Sequence, residues 1–587
     1  MMDTTPQHPT VLLESFSRGK FARSFRFEGL ETVIAAHSPD EVLPALAQVE
    51  QAVAQGRHAA GFVSYEAAAA LNPELSALET GDLPLVWFGI FTERLAATTW
   101  GDDSGTNDCL ISTPELVIDR HVYIGAVNSI RESIARGETY QVNLTTRQRF
   151  IVSGDPFTLY RRMCRNQQAP FCAWLDIGTH FILSASPELF FSLENDLLTM
   201  KPMKGTAPRR PGADDDRRQR EQLAASPKER AENLMIVDLV RNDLAVIAEI
   251  GSVEVTDLFG VETFPTVHQM TSTVTARIRP EVGLTDIFRA LYPCGSVTGA
   301  PKRRTMEIIK GLEATPRGLY CGAIGYVSPG REAAFSVAIR TVVVETDTGN
   351  GEIGIGSGIT WDSDPGSEFQ ECLDKGAFMV RDSSPFQLIE SLRFDQEGYL
   401  LLDQHLLRLA GSAEYFGFSL DLDVLRKQLG QLGQSLSGSH KVRILLSMDG
   451  SFTLGAQPLS EPDAASFAKI ALSQHRVTTS DPFLYHKTSR RALYDRELQA
   501  HPDCYDVVFL NERGELTEGC FNTVVLSLHG ELLTPALDCG LLPGVLREEL
   551  LQVGAVRETV LKLDDLYRAD RIWLVNSVRG WRECELA

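Results

Sequence analysis

The sequence predicts a multidomain protein of mixed α+β and α/β class. Three observations lead there. At 587 residues the chain exceeds one ordinary hydrophobic core and suggests about three to four domain-sized units. Short apolar runs of strand type alternate along its length with segments of helical period. A charged Ser/Pro stretch, "RDSSPF", breaks the pattern near residues 382–386. The expected domains are 1–115, 116–382 and 383–587.

In the first of these, "AAGFVSYEAA" and "LPLVWFGIF" read as strands and helices, ending at a polar, Gly-rich surface loop, "WGDDSGTND". A helix follows, because Ile124, Val127, Ile130 and Ile134 recur at helical spacing before Gly137 stops the run. In "RAENLMIVDLVRNDLAVIAEI" the period places Glu232, Met235, Ile236, Leu239 and Asp243 on one helix face. Three later runs, "GLYCGAIGYV", "AAFSVAIRTVVV" and "GEIGIGSGIT", read as consecutive strands. Next, "DSDPGSEFQECLDKGAFMV" supplies an acidic start, an early proline and a helix with Glu368, Glu371 and Lys375 on one side. Beyond the break, "HKVRILLSM", "YDVVFLNERGELTEG" and "RIWLVNSV" are strands with helices between them, and no repeat of 20 to 50 residues is visible.

Composition narrows the function classes. With 43% hydrophobic and 23% charged residues the chain is globular rather than disordered. Its net charge of -22 argues against nucleic acid or an anionic membrane as partner. Ten cysteines lie scattered without CxxC pairs, which points away from a disulfide framework or zinc ribbon and towards a reducing cytoplasm. The opening "MMDTTPQHPTVLLESF" lacks the basic-then-apolar signature of an export signal, and no apolar stretch approaches about 18 residues, so no membrane span is expected.

Two lysines stand out. Lys204 lies in "KPMKGTAPRR", which alone reads as a solvated loop. Glu188 sits in a strand-like run upstream, and Glu232, Glu368 and Glu371 lie on helix faces. Acids converging on one site repel unless a cation neutralises them, and an all-oxygen donor set suits Mg2+. "GIGSG" lacks the spacing and strand-to-helix context of a dinucleotide site; a tight strand turn admitting a carboxylate to the backbone fits better. Lys487, in "FLYHKTSRRALYD", is followed by Glu518 in a strand-turn-strand signal whose hairpin is marked by Arg-Gly.

From about residue 10 to 380 the chain resembles the chorismate-utilising enzymes. "GETYQVNLT", "SPELFF", "KPMKGTAPR", "AENLMIVDLVRNDL", "VHQMTSTV", "CGSVTGAPK", "YCGAIGYV", "AIRT" and "GSGITWDSDPGSEFQECLDK" carry the resemblance in family order. It implies a β-sandwich with surrounding helices and chorismate as substrate. The family spans anthranilate, isochorismate, salicylate and aminodeoxychorismate synthases; a lysine before Gly-Thr is similar to the last branch. The resemblance implies that Lys204 attacks the ring while Glu188 protonates the leaving hydroxyl. Glu232 and Glu371, supported by Glu368, would hold Mg2+. Gly205, Thr206, Tyr326, Arg340, Gly356, Ser357, Gly358 and Lys375 match positions around substrate, and His268 matches a histidine near the ring, with a structural histidine as the equal alternative. No glutaminase-like nucleophile elbow with Cys between glycines is visible, so a separate glutamine amidotransferase is implied as the ammonia source.

From residue 383 the chain resembles the two-subdomain fold-type-IV pyridoxal-phosphate enzymes, on "FLYHKTSRRALYD", "LTEGCFNTVVL", "CGLLPGVLREEL" and "NSVRGW". That resemblance implies Lys487 as the covalent anchor of pyridoxal 5'-phosphate and Glu518 as partner of its ring nitrogen. Arg408 and the helix start at Gly544 and Val545 would hold the phosphate, and Asn522 and Ser577 match further positions. A homodimeric C-terminal half is expected. Together the halves imply amination of chorismate and then elimination of pyruvate to give 4-aminobenzoate. An aminotransferase, an inactive cofactor-fold module or an anthranilate-type product remain as alternatives.

Overall fold

The structure, a computed structural model, describes residues 10–17, 23–79, 81–97, 109–380, 384–460 and 467–587. The opening segment 1–9, the whole of the Gly-rich break and residues 381–383 of the Ser/Pro stretch lie outside the described residues. Two compact units emerge: one takes the chain up to Pro208 and again from Arg220 to Ser383, the other takes Arg209–Gln219 and everything from Ser384. Among the described residues no helix is long and apolar enough to cross a membrane.

In the first unit, strands from the opening hundred residues hydrogen-bond directly to later ones. Val11–Glu14 pairs with Phe171–Asp176, and His58–Val63 with Ala323–Ser328. Their unbroken apolar runs follow from burial on both faces. Ala60 and Phe62 enter a core that draws its buried residues from strands and loops, with Phe27, Trp87, Ile182 and Ile324. Ala59 and Val63 point the other way, into a core shared with the helices Pro39–Ala54, Pro227–Ala245 and Leu284–Leu291.

The helix Pro227–Ala245 begins where Ser226 Oγ accepts the Glu229 amide, and its deepest stripe is Asn233, Ile236, Val237, Val240 and Leu244. The face expected from spacing is therefore rotated. Glu232, Met235, Leu239 and Asp243 are half-buried along its margin, where a carboxylate can meet both core and cleft. The run "AAFSVAIRTVVV" is not one strand; it divides into Glu332–Val337 and Thr341–Glu345, with Arg340 at φ +53° between them. Left-handed backbone in a non-glycine residue cannot continue a strand. Further on, Asn350–Ile359 pairs along its whole length with Gln141–Ser153, setting Gly356 opposite Thr145 and Gly358 opposite Asn143.

The second unit holds two sheets. Leu388–Asp395, Gly398–Tyr399, His440–Leu446 and Phe452–Pro458 form a four-stranded antiparallel sheet covered by helices Leu402–Phe416 and Leu422–Ser435. In the eight-stranded sheet the pairing of Glu518 with Thr523 closes a ring of strands. Arg209 belongs to this unit: its guanidinium lies 4.1 Å over the Tyr415 ring and donates to Tyr415 O at 2.9 Å and Asp216 Oδ2 at 2.7 Å. His486 Nε2 donates to Pro211 O at 3.1 Å, and burial pushes this imidazole down to about 4, so it is neutral.

Candidate functional site

Lys204 lies in the strand Met203–Pro208, whose register against Val267–Arg277 slips between Met203 and Thr206. The slip centres on Gly205, at φ +103°, where a Cβ would stand 3.0 Å from Glu229 Oε2; only glycine meets both conditions. Asn233 Nδ2 fixes the turn by donating to Lys204 O at 3.1 Å, while Asn233 Oδ1 accepts from Ser272 Oγ at 2.6 Å. So held, the Lys204 amine reaches Glu232 Oε2 at 3.5 Å with its side chain 16% exposed. It also lies against Gly358, where a Cβ would stand 2.8 Å from Nζ and 2.7 Å from Gln141 Nε2.

Acids surround this amine. Glu188 is 3% exposed; burial pushes its carboxyl up to about 7, against the pull of hydrogen bonds from Ser296 and the Met203 amide and of the Lys204 charge. Its Oε1 has no partner. Glu229 is raised by burial and by the Glu232 charge, with Glu371 adding to it and Lys204 opposing. At Glu371, burial raises the carboxyl, but Lys375, Lys204 and Arg340 together bring it below the usual carboxylate value. Lys375 Nζ stands 2.7 Å from Glu371 Oε1 and donates to Gly356 O at 2.8 Å. Arg340, half-buried and pushed down to about 10 by loss of water, donates to Lys375 O. Ser357 Oγ shares a hydrogen bond with Tyr123 Oη at 3.1 Å, and the same phenol meets Cys372 Sγ at 3.2 Å, tying the glycine strand to the helix Pro365–Gly376.

Most of the expected residues thus converge: Lys204, Gly205, Glu188, Glu232, Glu371, Arg340, Gly356, Ser357, Gly358 and Lys375. Glu368 sits in the first turn of the Pro365–Gly376 helix, one turn before Glu371. Thr206 is exposed and donates to Gln269 Oε1 at 2.9 Å. His268 is buried opposite Ala207, with Nδ1 hydrogen-bonded to Thr263 Oγ1 at 3.0 Å. The structure does not bring Tyr326 to this group. Its phenol donates to Glu332 Oε1 at 2.9 Å, and its ring lines a different cleft with Leu13, Phe25 and Phe171. Glu229, Asn233, Gln141 and Ser296 join the site without having been singled out from sequence. Glu229 alone had a signal there, three residues before Glu232 on the same helix face.

The donor chemistry fits a hard cation: oxygen only, with carboxylates that raise one another. Among the described residues, however, no three His, Cys, Asp or Glu side chains already stand as a metal-ready cluster. Lys204 and Lys375 balance Glu232 and Glu371 instead.

In the second unit Lys487 is half-buried, and loss of water with the nearby Arg408 charge pushes its amine down to about 8. Ile389 N donates to Lys487 O at 2.8 Å, tying it to the small sheet. Glu518 is pushed up to about 7 by burial; its oxygens accept from Tyr494 Oη and the Leu542 amide, each at 3.1 Å. Arg408 makes a two-pronged pair with Glu390, both bonds 2.8 Å, and donates to Pro543 O at 3.0 Å. That last bond brings it to Gly544, the N-cap of helix Val545–Gln552. His405 Nδ1 meets Glu390 Oε2 at 2.7 Å. Asn522 donates to Asp506 Oδ2 at 2.6 Å and accepts from Asn576, beside Ser577. A depressed amine, a buried carboxyl and a cation at a helix start fit an aldehyde cofactor bearing a phosphate.

Residues 107–381 match the family described as chorismate binding enzyme. An anthranilate synthase component 1 from Methanothermobacter thermautotrophicus is 33% identical over 342 residues, 55% of this chain and 73% of that one. The chain belongs to the chorismate-binding enzymes. This chorismate-binding enzyme is 47% identical over 239 residues to an aminodeoxychorismate synthase component 1 of Salmonella typhimurium, 41% of this chain and 52% of the relative. Across four such aminodeoxychorismate synthases the match spans 38% to 62% of the relative's length. The crystal structure of anthranilate synthase component I from Streptococcus pneumoniae overlays with a TM-score of 0.53 at 26% identity, covering 65% of this chain and 96% of that one. Residues 387–586 match amino-transferase class IV. The chorismate-binding fold is thus followed by an aminotransferase-like one, and the chain is an enzyme.

Proposed function

We propose that the chain performs two consecutive reactions: amination of chorismate to 4-amino-4-deoxychorismate at Lys204, then elimination of pyruvate at Lys487 to give 4-aminobenzoate. The single observation behind the first step is an amine, Lys204, held between Glu232 and the bare backbone of Gly358 and close enough to lower the buried Glu188. After its ammonium proton has passed to bulk water, Lys204 bonds to ring C2 while the C4–O bond breaks. Glu188, which holds its proton near neutrality, delivers it to the departing oxygen, and water leaves. Ammonia then bonds to C4 and the C2–N bond breaks, restoring Lys204. Chorismate plus ammonia becomes product plus water.

Arg340, Lys375 and the Gly356–Gly358 backbone are placed to receive a carboxylate of the substrate. Glu232 and Glu371, with Glu368 in support, would hold Mg2+, whose charge would bind another carboxylate. The name component 1 carried by the relatives supports a separate glutamine amidotransferase as ammonia source.

Pyridoxal phosphate, when bound, supplies an electron sink for the second step. Lys487 would anchor it, Glu518 would face the ring nitrogen, and Arg408 with the Gly544–Val545 helix start would hold the phosphate, flanked by Asn522 and Ser577. The Lys487 amine, already depressed, takes the proton from C4. The ether oxygen at C3 then leaves as pyruvate and the ring becomes aromatic. A homodimeric second unit and a cytoplasmic location complete the reading.

The class IV match favours one second reading, in which this unit transfers an amino group between amino and oxo acids. Incubation with chorismate, Mg2+, ammonia and pyridoxal phosphate tests both. The expected outcome is 4-aminobenzoate with equimolar pyruvate. Anthranilate or salicylate would overturn the first step; accumulated aminodeoxychorismate, with transfer from D-alanine to 2-oxoglutarate, would replace the second.

A further inference from the structure

Lys487 is joined to the four-stranded sheet by more than one backbone bond. Ile389 N donates to Lys487 O at 2.8 Å, Ser489 N donates to Gln387 O at 2.9 Å, and Leu388 bridges Thr488 between them. Residues 487–489 therefore run as a short extra edge beside strand Leu388–Asp395. On its other side that strand pairs with His440–Leu446, which pairs in turn with Phe452–Pro458. Across the sheet, Lys487, Ile389, Leu445 and Thr453 form one row. Ser391, Arg443 and Gly455 form the next, and Arg393, Lys441 and Gln457 a third. Opposed residues in neighbouring strands, and every second residue along a strand, point to one face.

Burial tells which face this is. Leu388, Leu392, Val442, Ile444 and Leu446 pack in one core with helices Leu402–Phe416 and Leu422–Ser435. Glu390 lies on that side too, meeting Arg408 and His405, and so does His486, whose Nδ1 meets Ser412 Oγ at 2.9 Å. Lys487, Arg443 and Lys441 thus share the opposite, helix-free face. That face is closed at Ile389 and Ser391, 3% and 9% exposed. It opens at Arg443, which is exposed beside Gly455, where a Cβ would meet nothing within 4 Å.

Among the described residues neither Arg443 nor Lys441 has a carboxylate partner, whereas Arg393 in the third row is paired with Asp395 at 3.3 Å. Burial, and then the charges of Arg443, Arg579 and Arg491, lowers the Lys441 amine. Like charges set side by side repel until an anion joins them. With strands about 4.8 Å apart and about 3.4 Å per residue, the Cα atoms of Lys487 and Arg443 stand roughly 12 Å apart, room for a six-membered ring between two upright side chains.

We propose that Arg443, with Lys441 one row further out, is the subsite that binds a carboxylate of the second unit's substrate, an amine whose carboxylate lies away from the carbon that reacts. This rests on the reading of aminodeoxychorismate as that substrate. Its ring carboxylate lies across the ring from the amine-bearing C4, so Lys487 at C4 leaves the carboxylate towards Arg443. A guanidinium fork takes both oxygens of such a group and disfavours neutral amines.

The test is pyruvate release from supplied aminodeoxychorismate by full-length Arg443→Met loaded with pyridoxal phosphate, without Mg2+ or ammonia so that the first site is silent. KM should rise about tenfold or more, the scale of a lost charge-assisted bond, with kcat within about threefold. Chorismate, which carries two carboxylates but no amine, should inhibit the wild type competitively, and its Ki should rise by the same factor in the variant. Cofactor capture by the apo-enzyme, followed by absorbance, and the melting temperature should both stay as in the wild type, which separates a substrate subsite from a phosphate ligand or a structural cation. Arg443→Lys should recover part of the loss, and Lys441→Met should raise both constants less than Arg443→Met does. In Arg443→Met, KM and Ki within about twofold of the wild-type values overturn the subsite and leave the lyase reading intact. If the wild type releases no pyruvate but transfers amino groups, the lyase reading fails. The subsite then stands on about a tenfold loss of preference for D-glutamate over D-alanine in Arg443→Met, and an unchanged preference overturns it. A wild type with neither activity overturns both.

Discussion

The two lysines differ in how each is kept ready. Lys487 is half-buried, and loss of water together with the Arg408 charge has already pushed its amine down to about 8. Lys204 is 16% exposed and is paired instead with Glu232 Oε2 at 3.5 Å. Desolvation readies an amine before anything binds; an ion pair readies it only when the partner carboxylate is engaged elsewhere. The first site therefore depends on what enters it, while the second is set by the fold.

Exchanging each lysine breaks the comparison most severely. Lys204→Ala should lower amination by about a thousandfold or more while leaving pyruvate release from supplied aminodeoxychorismate intact, and Lys487→Ala should do the reverse. Assaying both products with each variant checks this. Glu390→Gln should come next, because it strands Arg408 and His405 in the interior. A loss of about 3–5 kcal/mol in the second unit, read from denaturant unfolding, is expected for a broken buried pair. Gly358→Ala pushes a methyl into the Lys204 amine and the Gln141 amide. Overpacking of about 1–3 kcal/mol corresponds to a loss of amination of roughly tenfold or more, with the fold retained by circular dichroism.

Acidity sharpens the contrast. Burial raises Glu188 to about 7, so a donor that must hold its proton loses activity as pH climbs through that value. Loss of water lowers Lys487 to about 8, so cofactor capture by the apo-enzyme should quicken as pH rises and level off above about 8, as followed by absorbance.

The contrast also shows what could be read beforehand. The family resemblance marked Lys204, Gly205 and the glycines at 356 and 358, since Lys204 alone reads as a solvated loop residue, and acids placed on helix faces added Glu232 and Glu371. Gln141 and Asn233 were not, since an uncharged amide gives no signal until its contacts are known. The orientation of the Pro227–Ala245 helix was misjudged for a related reason: buried Asn233 lies in its deepest stripe, and a polar residue there disguises the true apolar face. The strand break at Arg340 escaped because a β-rich run hides a single left-handed residue. Tyr326 illustrates alternation along a strand, where one step in register selects a different cleft.

Arg209, stacked on Tyr415, and Pro211, accepting from His486, belong structurally to a body whose remaining sequence begins 173 positions after position 211. A fragment begun at Ser384 would be missing an internal brace one residue from Lys487. The two catalysts are therefore not interchangeable cassettes: a gene severed at the apparent seam would release a weakened C-terminal product, and supplying Arg209–Gln219 as a separate peptide should restore part of its resistance to heat.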